Sequence, residues 1–262
     1  MTEQRRSAPI AFSEYGEGDP IILLHAFPLN CKMWEPQAKA LSENHRVVTP
    51  DYPGFGRSLY PPAQPDMRFY AERILELLDK LELERVVLGG LSMGGYVAFA
   101  CLRLFPERVS GIVLANTRPE PDSEEVRENR KNMAQRVSAQ GVGVLIELQI
   151  ERLLSPATLQ NEPMMVEQVK SMILESSPDG VVGALGAMRD RPDSTPLLPE
   201  IEVQTLVIGG EEDGISSPEV MGALAQKIPN SEHHTISGVS HLSNIEAPDE
   251  FNATLKEFLK SL

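Results

Sequence analysis

Short apolar runs alternate with longer amphipathic stretches along the first half of the chain. The runs are rich in valine, isoleucine and leucine, which is typical of parallel strands that are buried on both faces; they lie at residues 21–24, 46–49, 85–91 and 109–115. Between residues 68 and 81 the apolar positions recur at helical spacing instead. Strands that alternate with helices predict βαβ units, and hence an α/β fold with a mostly parallel sheet flanked by helices.

The N-terminal part of this pattern predicts a hairpin. Apolar and polar residues alternate from Ile10 to Tyr15, and residues 16–20 (Gly-Glu-Gly-Asp-Pro) are turn formers. We therefore expect a first strand that returns through this turn to pair with the strand at 21–24.

The alternation stops near Thr117, and the chain from there to Pro196 shows helical patterns only. A capping box formed by Asp122 and Glu125 marks the first helix, and further apolar helical runs lie at 142–154, 163–174 and 180–188. Strand patterns return at 205–209 and 233–236, with helices at 218–227 and 248–259. This predicts a core of residues 1–116 and 197–262, with an all-helical cap of residues 117–196 inserted before the last two strands.

Methionine is concentrated in the predicted cap. Five of the ten methionines lie there, namely Met133, Met164, Met165, Met172 and Met188. Methionine side chains are flexible and apolar, so they suit either the roof of an apolar pocket or the filling of gaps between packed helices. The sequence leaves both interpretations open.

Composition and charge narrow the class of partner. The chain has 262 residues with a formal net charge of −14, which disfavours nucleic acid and anionic membranes as partners and leaves a small molecule. Its two cysteines indicate no disulfide framework, and no Cys/His cluster has metal-ligand spacing. We expect no secretory signal, and the sequence shows no apolar run of about 20 residues that would span a bilayer. We expect a cytoplasmic protein, and the sequence does not indicate its oligomeric state.

The most informative stretch joins a predicted strand to a predicted helix. Residues 86–91 enter the turn 90–94 (Gly-Leu-Ser-Met-Gly), and an apolar helical run follows. A side chain at such a corner projects away from the sheet, and the helix N-terminus directs its free N–H groups to the space beside the Ser92 hydroxyl. A glycine-rich turn with an incidental serine is the alternative.

A nucleophilic serine needs a histidine base and a carboxylate at the same edge of the sheet. His25 and His241 both follow predicted strands, whereas His45 precedes one and the adjacent His233 and His234 lie inside one. Three acids also follow a strand end, namely Glu211, Glu212 and Asp213. Asp51 follows another strand end, but the turn formers after it indicate a structural role.

Taken together, these segments resemble the α/β-hydrolase superfamily over essentially the whole chain. The segments that carry the resemblance are 25–28 (His-Ala-Phe-Pro), 51–58 (Asp-Tyr-Pro-Gly-Phe-Gly-Arg-Ser), 90–94, 209–213 (Gly-Gly-Glu-Glu-Asp) and 238–241 (Gly-Val-Ser-His). Within the superfamily the chain is most similar to small carboxylesterases and to 3-oxoadipate enol-lactonase-like enzymes. The family usually has glycine at the position of Ala26. Alanine there slightly narrows the loop that follows the predicted strand 21–24.

The resemblance implies a role for each candidate residue. The order serine, acid, histidine along the chain assigns Ser92 as nucleophile and His241 as base, and the family spacing favours Asp213 as the acid. Some relatives carry the acid after the preceding strand, where this chain has Asn116 and no carboxylate. The backbone N–H groups of Met93 and Phe27 would form the oxyanion hole, and neither a metal nor a cofactor is implied.

This set of residues predicts the hydrolysis of carboxylic esters or lactones of small molecules through an acyl-enzyme. A serine nucleophile argues against the haloalkane dehalogenases and epoxide hydrolases of this fold, which use aspartate. Three alternatives stay open: a cofactor-free perhydrolase, a C–C bond hydrolase with the same triad, and a small-molecule receptor on the same fold. The substrate depends on residues 117–196, whose side chains periodicity cannot place.

Overall fold

The computed structural model of the protein describes residues 10–59 and 64–262. The expectation that the N-terminus carries no secretory signal concerns residues 1–9, which lie outside the described residues. Seven strands form one sheet: β1 (Phe12–Tyr15), β2 (Asp19–Leu24), β3 (His45–Pro50), β4 (Val86–Leu91), β5 (Val109–Ala115), β6 (Thr205–Gly210) and β7 (Ser231–Ile236). The helices are α1 (Glu35–Leu41), α2 (Met67–Lys80), α3 (Met93–Leu104), α4 (Glu124–Gln140), α5 (Val144–Leu153), α6 (Pro156–Asn161), α7 (Pro163–Leu174), α8 (Pro178–Arg189), α9 (Pro218–Ala225), α10 (Ser243–Glu246) and α11 (Pro248–Leu259).

The sheet has the order β1-β3-β2-β4-β5-β6-β7, and every neighbouring pair except β1 with β3 is parallel. Every residue of the central strand β4 and of β6 is buried, which agrees with the continuous apolar runs in the sequence. The predicted α/β class, with a mostly parallel sheet, is confirmed. The carboxyl ends of the parallel strands therefore meet at one edge.

The predicted N-terminal hairpin is wrong. β1 pairs antiparallel with β3, with Tyr15 opposite Val47, and β2 lies on the other side of β3. The apolar end of β2 is fully buried, so β2 needs a neighbour on each side, and it pairs with β3 and β4. The half-exposed β1 takes the edge position.

Between β5 and β6 the chain forms the five helices α4 to α8, and the residues described there include no strand. The prediction that Asp122 caps the first of them is wrong, because Ser123 is the N-cap and accepts from the Val126 N–H. Asp122 instead accepts hydrogen bonds from Arg130 and Arg191. The division into a core of residues 1–116 and 197–262 and a cap of residues 117–196 stays a prediction.

The two cysteines, Cys31 and Cys101, are buried and unpaired, and burial raises the pKa of both thiols. Among the described residues no helix combines the length and the apolar character that a membrane crossing requires. The cytoplasmic location expected from the sequence stays a prediction.

Candidate active site

Ser92 lies at the corner between β4 and α3, with a backbone φ of 56° that L-residues rarely adopt. Two glycines make this corner possible. A Cβ atom on Gly94 would lie 2.2 Å from the carbonyl oxygen of Leu24, and one on Gly90 would lie 2.3 Å from the backbone of Gly94. The close contact of α3 with the sheet therefore depends on both glycines and holds Ser92 at the carboxyl edge.

His241 and Asp213 form a buried pair at the same edge of the sheet. The Nδ1 atom of His241 lies 2.8 Å from Oδ2 of Asp213, and both side chains are almost fully buried. Because an ionised carboxylate only accepts hydrogen bonds, this contact places the ring proton on Nδ1. The Nε2 atom of His241 is then left as a proton acceptor.

The hydrogen bonds around Asp213 stabilise its charged form. Oδ1 accepts from the backbone N–H groups of Ile215 and Ser216 at 2.7 and 3.0 Å. Burial acts to raise the pKa of the Asp213 carboxyl, but His241 and the hydrogen bonds from Asn116 and Ser216 outweigh it and hold this pKa below its ordinary value. Asp213 is thus kept ionised beside the imidazole.

The structure assigns a role to Asn116 that the sequence did not indicate. Its Nδ2 donates to Oδ2 of Asp213 at 2.9 Å, the same oxygen that contacts His241, and its Oδ1 accepts from the Ser243 hydroxyl at 2.6 Å. The position of Asn116 directly after β5, at the carboxyl edge of the sheet, is the signal that could have indicated this role. Asn116 is a positioning residue for the Asp213–His241 pair.

The other candidate acids lie elsewhere. Glu211 and Glu212 are exposed, and the Glu211 carboxylate accepts from the Gly238 N–H at 3.1 Å. Asp51 is buried and accepts from the backbone N–H groups of Cys31 and Arg57, in line with the structural role expected of it.

Among the described residues, His241 is the one histidine that lines the same cavity as Ser92. His25 is fully buried, accepts from the Tyr52 N–H through Nε2 at 3.0 Å and contacts the Ala26 carbonyl through Nδ1. Burial lowers the pKa of His25 to about 4 against an opposing effect of Asp51, so it is a neutral structural residue at neutral pH. His45 begins β3, and His233 and His234 lie in β7.

Ser92 and His241 open into a cavity of about 300 Å³ beneath the helices that join β5 to β6. Phe27 also lines it, as do Met133 and Met188, two of the five methionines between residues 117 and 196. Met164 is exposed instead, and Met172 lines a different surface depression. The cavity lining therefore includes two of these methionines, whereas the exposed Met164 neither lines it nor fills a gap between helices.

Two backbone N–H groups are available beside Ser92. Met93 is the first residue of α3, so its N–H has no acceptor within the helix. The Phe27 N–H forms no hydrogen bond among the residues described. Both residues are thus suited to the oxyanion hole assigned to them. No cluster of three metal-binding side chains occurs in the described parts of the chain.

Hydrogen bonds join the His241 loop to α5 and to the start of α6. The Glu246 carboxylate accepts from the Ser240 N–H through one oxygen and from the Ser155 N–H through the other, each at 2.8 Å. The Leu242 N–H donates to the Leu153 carbonyl at 3.0 Å. These three hydrogen bonds therefore fix the His241 loop relative to the helices that follow β5.

Comparison with known proteins supports this description of the fold. A family model described as the alpha/beta hydrolase fold matches residues 19–248. A putative non-heme chloroperoxidase of Synechocystis sp. is 30% identical over 98% of this chain and 97% of its own length.

Solved structures of high similarity carry hydrolase descriptions. A thermophilic esterase from Thermogutta terrifontis, in a malate-bound structure, has a TM-score of 0.95 and 42% identity over 97% of this chain and 94% of its own. An enol-lactonase from Burkholderia xenovorans has a TM-score of 0.91 and 28% identity, covering 97% of this chain and 98% of its own. Esterases and enol-lactonases thus share this architecture along nearly the full chain.

Proposed function

The chain belongs to the alpha/beta hydrolase fold family, and from that membership and the geometry of the site we propose that it is a serine hydrolase of small carboxylic esters or lactones. Ser92 is the nucleophile, His241 the base and Asp213 the acid that orients it. The observation that carries the proposal is the buried contact of 2.8 Å between His241 and Asp213, beside a cavity that Ser92 also lines.

The first half of the reaction forms an acyl-enzyme. Nε2 of His241 takes the proton of the Ser92 hydroxyl while Oγ attacks the carbonyl carbon of the ester. The N–H groups of Met93 and Phe27 donate to the resulting oxyanion, and a single donor of this kind typically stabilises the transition state by about 3 kcal/mol. When the intermediate collapses, His241 returns the proton to the leaving alcohol.

The second half releases the acyl group. His241 takes a proton from a water molecule, whose oxygen attacks the acyl carbon, and the Ser92 oxygen leaves with the proton that His241 returns. During both steps the Asp213 carboxylate stabilises the imidazolium. For a lactone the same steps open the ring, since the leaving alcohol stays attached to the acyl group.

Turnover of p-nitrophenyl acetate and butyrate tests the proposal. The wild-type protein is expected to hydrolyse both and to react with a fluorophosphonate at Ser92, whereas Ser92→Ala loses at least about 1,000-fold in kcat and all labelling. The exposed Ser138 lies on α4 outside the cavity and provides the matched control. Ser138→Ala should keep both the ester hydrolysis and the fluorophosphonate labelling.

Full activity in Ser92→Ala would show that the nucleophile is wrong. No turnover and no labelling of the wild-type protein would favour a small-molecule receptor instead.

A second candidate function is perhydrolysis, in which hydrogen peroxide replaces water in the second half and the product is a peracid. The similarity to a putative non-heme chloroperoxidase favours it as the alternative. Peracid formed from acetate and hydrogen peroxide, measured beside ester hydrolysis, distinguishes the two activities. Perhydrolysis that exceeds hydrolysis would make it the main function.

A further inference from the structure

The cavity above Ser92 is lined by positive charge in a chain that is strongly acidic overall. Three arginines line it, namely Arg118, Arg130 and Arg152, and Asp122 is its one acidic lining residue among those described. The whole chain carries a formal net charge of −14. A cleft lined mainly by one sign of charge attracts ligands of the opposite charge, so this lining favours an anionic ligand.

Asp122 neutralises only part of this charge. It forms ion pairs with Arg130 and with Arg191, and the Arg191 guanidinium also stacks on the Tyr96 ring at 4.1 Å. Neither Arg118 nor Arg152 has an acidic partner or a hydrogen-bond acceptor among the residues that the structure describes. Arg118, which is half-buried, and Arg152, which is exposed, therefore line the cavity with guanidinium groups that no carboxylate of the described residues neutralises.

Of the two arginines, Arg118 gives the stronger indication of a bound ligand. It is half-buried, and its Nε is a buried donor with no hydrogen-bond partner in the described part of the chain. A buried donor that stays unpaired normally destabilises a folded protein, so its presence points to a ligand that completes the hydrogen bonds. A carboxylate matches the planar donor pattern of a guanidinium group.

The fold holds both arginines next to the reacting groups. Thr117, which precedes Arg118, donates from its hydroxyl to the Ser92 carbonyl at 2.9 Å. Leu153, which follows Arg152, accepts from the N–H of the residue after His241 at 3.0 Å. Each arginine is therefore one residue away from a direct contact with the nucleophile or with the base loop.

We propose that Arg118 and Arg152 form a carboxylate subsite, and that the preferred substrates are esters or lactones that carry a second, free carboxylate. This inference rests on the proposed function, because it places the scissile carbonyl at Ser92. The guanidinium groups bind the free carboxylate and orient the carbonyl toward the Ser92 hydroxyl.

Two methyl esters of similar length test the subsite. Monomethyl glutarate carries the free carboxylate and methyl hexanoate does not, and methanol release gives kcat/KM for each. The wild-type protein is expected to favour monomethyl glutarate by at least about 10-fold, and Arg118→Gln to lower that preference by about 10-fold to 100-fold, as expected for lost hydrogen bonds to a charged group. Arg118→Lys keeps the charge without the planar donors and should retain part of the preference.

Arg136 provides the matched control, since it lies on α4, pairs with Glu147 and does not line the cavity. Arg136→Gln should leave the preference unchanged. The preference is the ratio of kcat/KM for monomethyl glutarate to kcat/KM for methyl hexanoate. A wild-type ratio no greater than one would overturn the subsite, and so would a preference that survives in the Arg118→Gln, Arg152→Gln double variant.

Calorimetric titration with glutarate separates failure of this inference from failure of the proposed function. If neither ester is hydrolysed and Ser92 is not labelled, the proposed function fails. The subsite is then supported by glutarate binding that the double variant loses, and it is overturned if the wild-type protein does not bind glutarate.

Discussion

Asn116 connects the acid of the proposed triad to the rest of the site. It donates to Asp213 and to the Ser240 carbonyl and accepts from Ser243, and its backbone has a φ of 42°. Asparagine and aspartate tolerate this left-handed conformation better than other residues with side chains. An aspartate at this position therefore changes the charge while it keeps the backbone and the size of the side chain.

Asn116→Asp is expected to move the acidic limb of the kcat/KM profile to higher pH. The new carboxylate would replace a donor that lies 2.9 Å from the Asp213 oxygen, and a second negative charge there raises the pKa of the carboxyl pair and favours protonated His241. The profile would be measured with p-nitrophenyl butyrate.

The exposed Asn132 on α4 provides the control, because Asn132→Asp adds the same charge far from the pair. A profile of Asn116→Asp that coincides with that of the wild-type protein would mean that Asn116 does not position Asp213. A purely structural role would lower stability without moving this limb.

At the scale of elements, the site depends on how closely α3 approaches the sheet. The N-terminus of α3 carries Met93, and the helix packs against the end of β2 through Gly94, where a Cβ atom would meet the Leu24 carbonyl at 2.2 Å. Backbone atoms on both sides of this contact cannot rotate away as a side chain can. The corner that exposes Ser92 is thus a packing requirement between a helix and two strands.

Gly94→Ala is expected to lower the free energy of unfolding by about 3 kcal/mol, because an added methyl group in a close backbone contact forces the two elements apart. Gly186 on α8 is the matched control, since a Cβ atom there would meet nothing within 4 Å. Gly186→Ala should be neutral or raise stability by about 0.5–1 kcal/mol. Urea denaturation measures both, and an equal effect of the two substitutions would contradict the packing argument.

At the scale of the whole molecule, two of the buried groups, His25 and Asp213, make the stability of the protein sensitive to acid. Burial lowers the pKa of His25 to about 4 from an ordinary value of 6.5, and the pKa of Asp213 also lies below its ordinary value. In both cases the unfolded chain takes up a proton at a higher pH than the folded protein does. Acid therefore favours the unfolded state through both groups.

The free energy of unfolding is expected to fall by about 3 kcal/mol through His25 alone as the pH decreases from about 6.5 to about 4. Above this window both states hold His25 neutral, so the contribution of His25 is then constant. Urea denaturation at several pH values gives the slope, and NMR of the ring protons follows His25 directly. A His25 ring that titrates near pH 6.5 in the folded protein, the ordinary value for this side chain, would contradict the expectation.

Much of the architecture was predictable because its signals are local. Periodicity placed the buried strands β4 and β6 and the helix α3 that follows β4, since each element must direct an apolar face to the core whatever its neighbours are. The residues proposed for catalysis are short motifs at strand ends, and all parallel strands end at one edge. The sequence by itself therefore determined the fold class and brought Ser92, Asp213 and His241 to a common edge.

Only the tertiary structure decided which elements and side chains meet. Strand neighbours depend on the burial of the whole sheet, so β1 pairs with β3 although the turn formers after Tyr15 predict a hairpin. The contact of Asn116 with Asp213 joins residues that lie 97 positions apart. The cavity brings together Arg118 and Arg152 from separate elements. Periodicity indicates which face of a helix is apolar, but it does not indicate which residues of other elements that face contacts. For that physical reason the sequence indicated the residues proposed for catalysis, whereas the packing of α4 and α5 over the sheet decides which charges line the cavity.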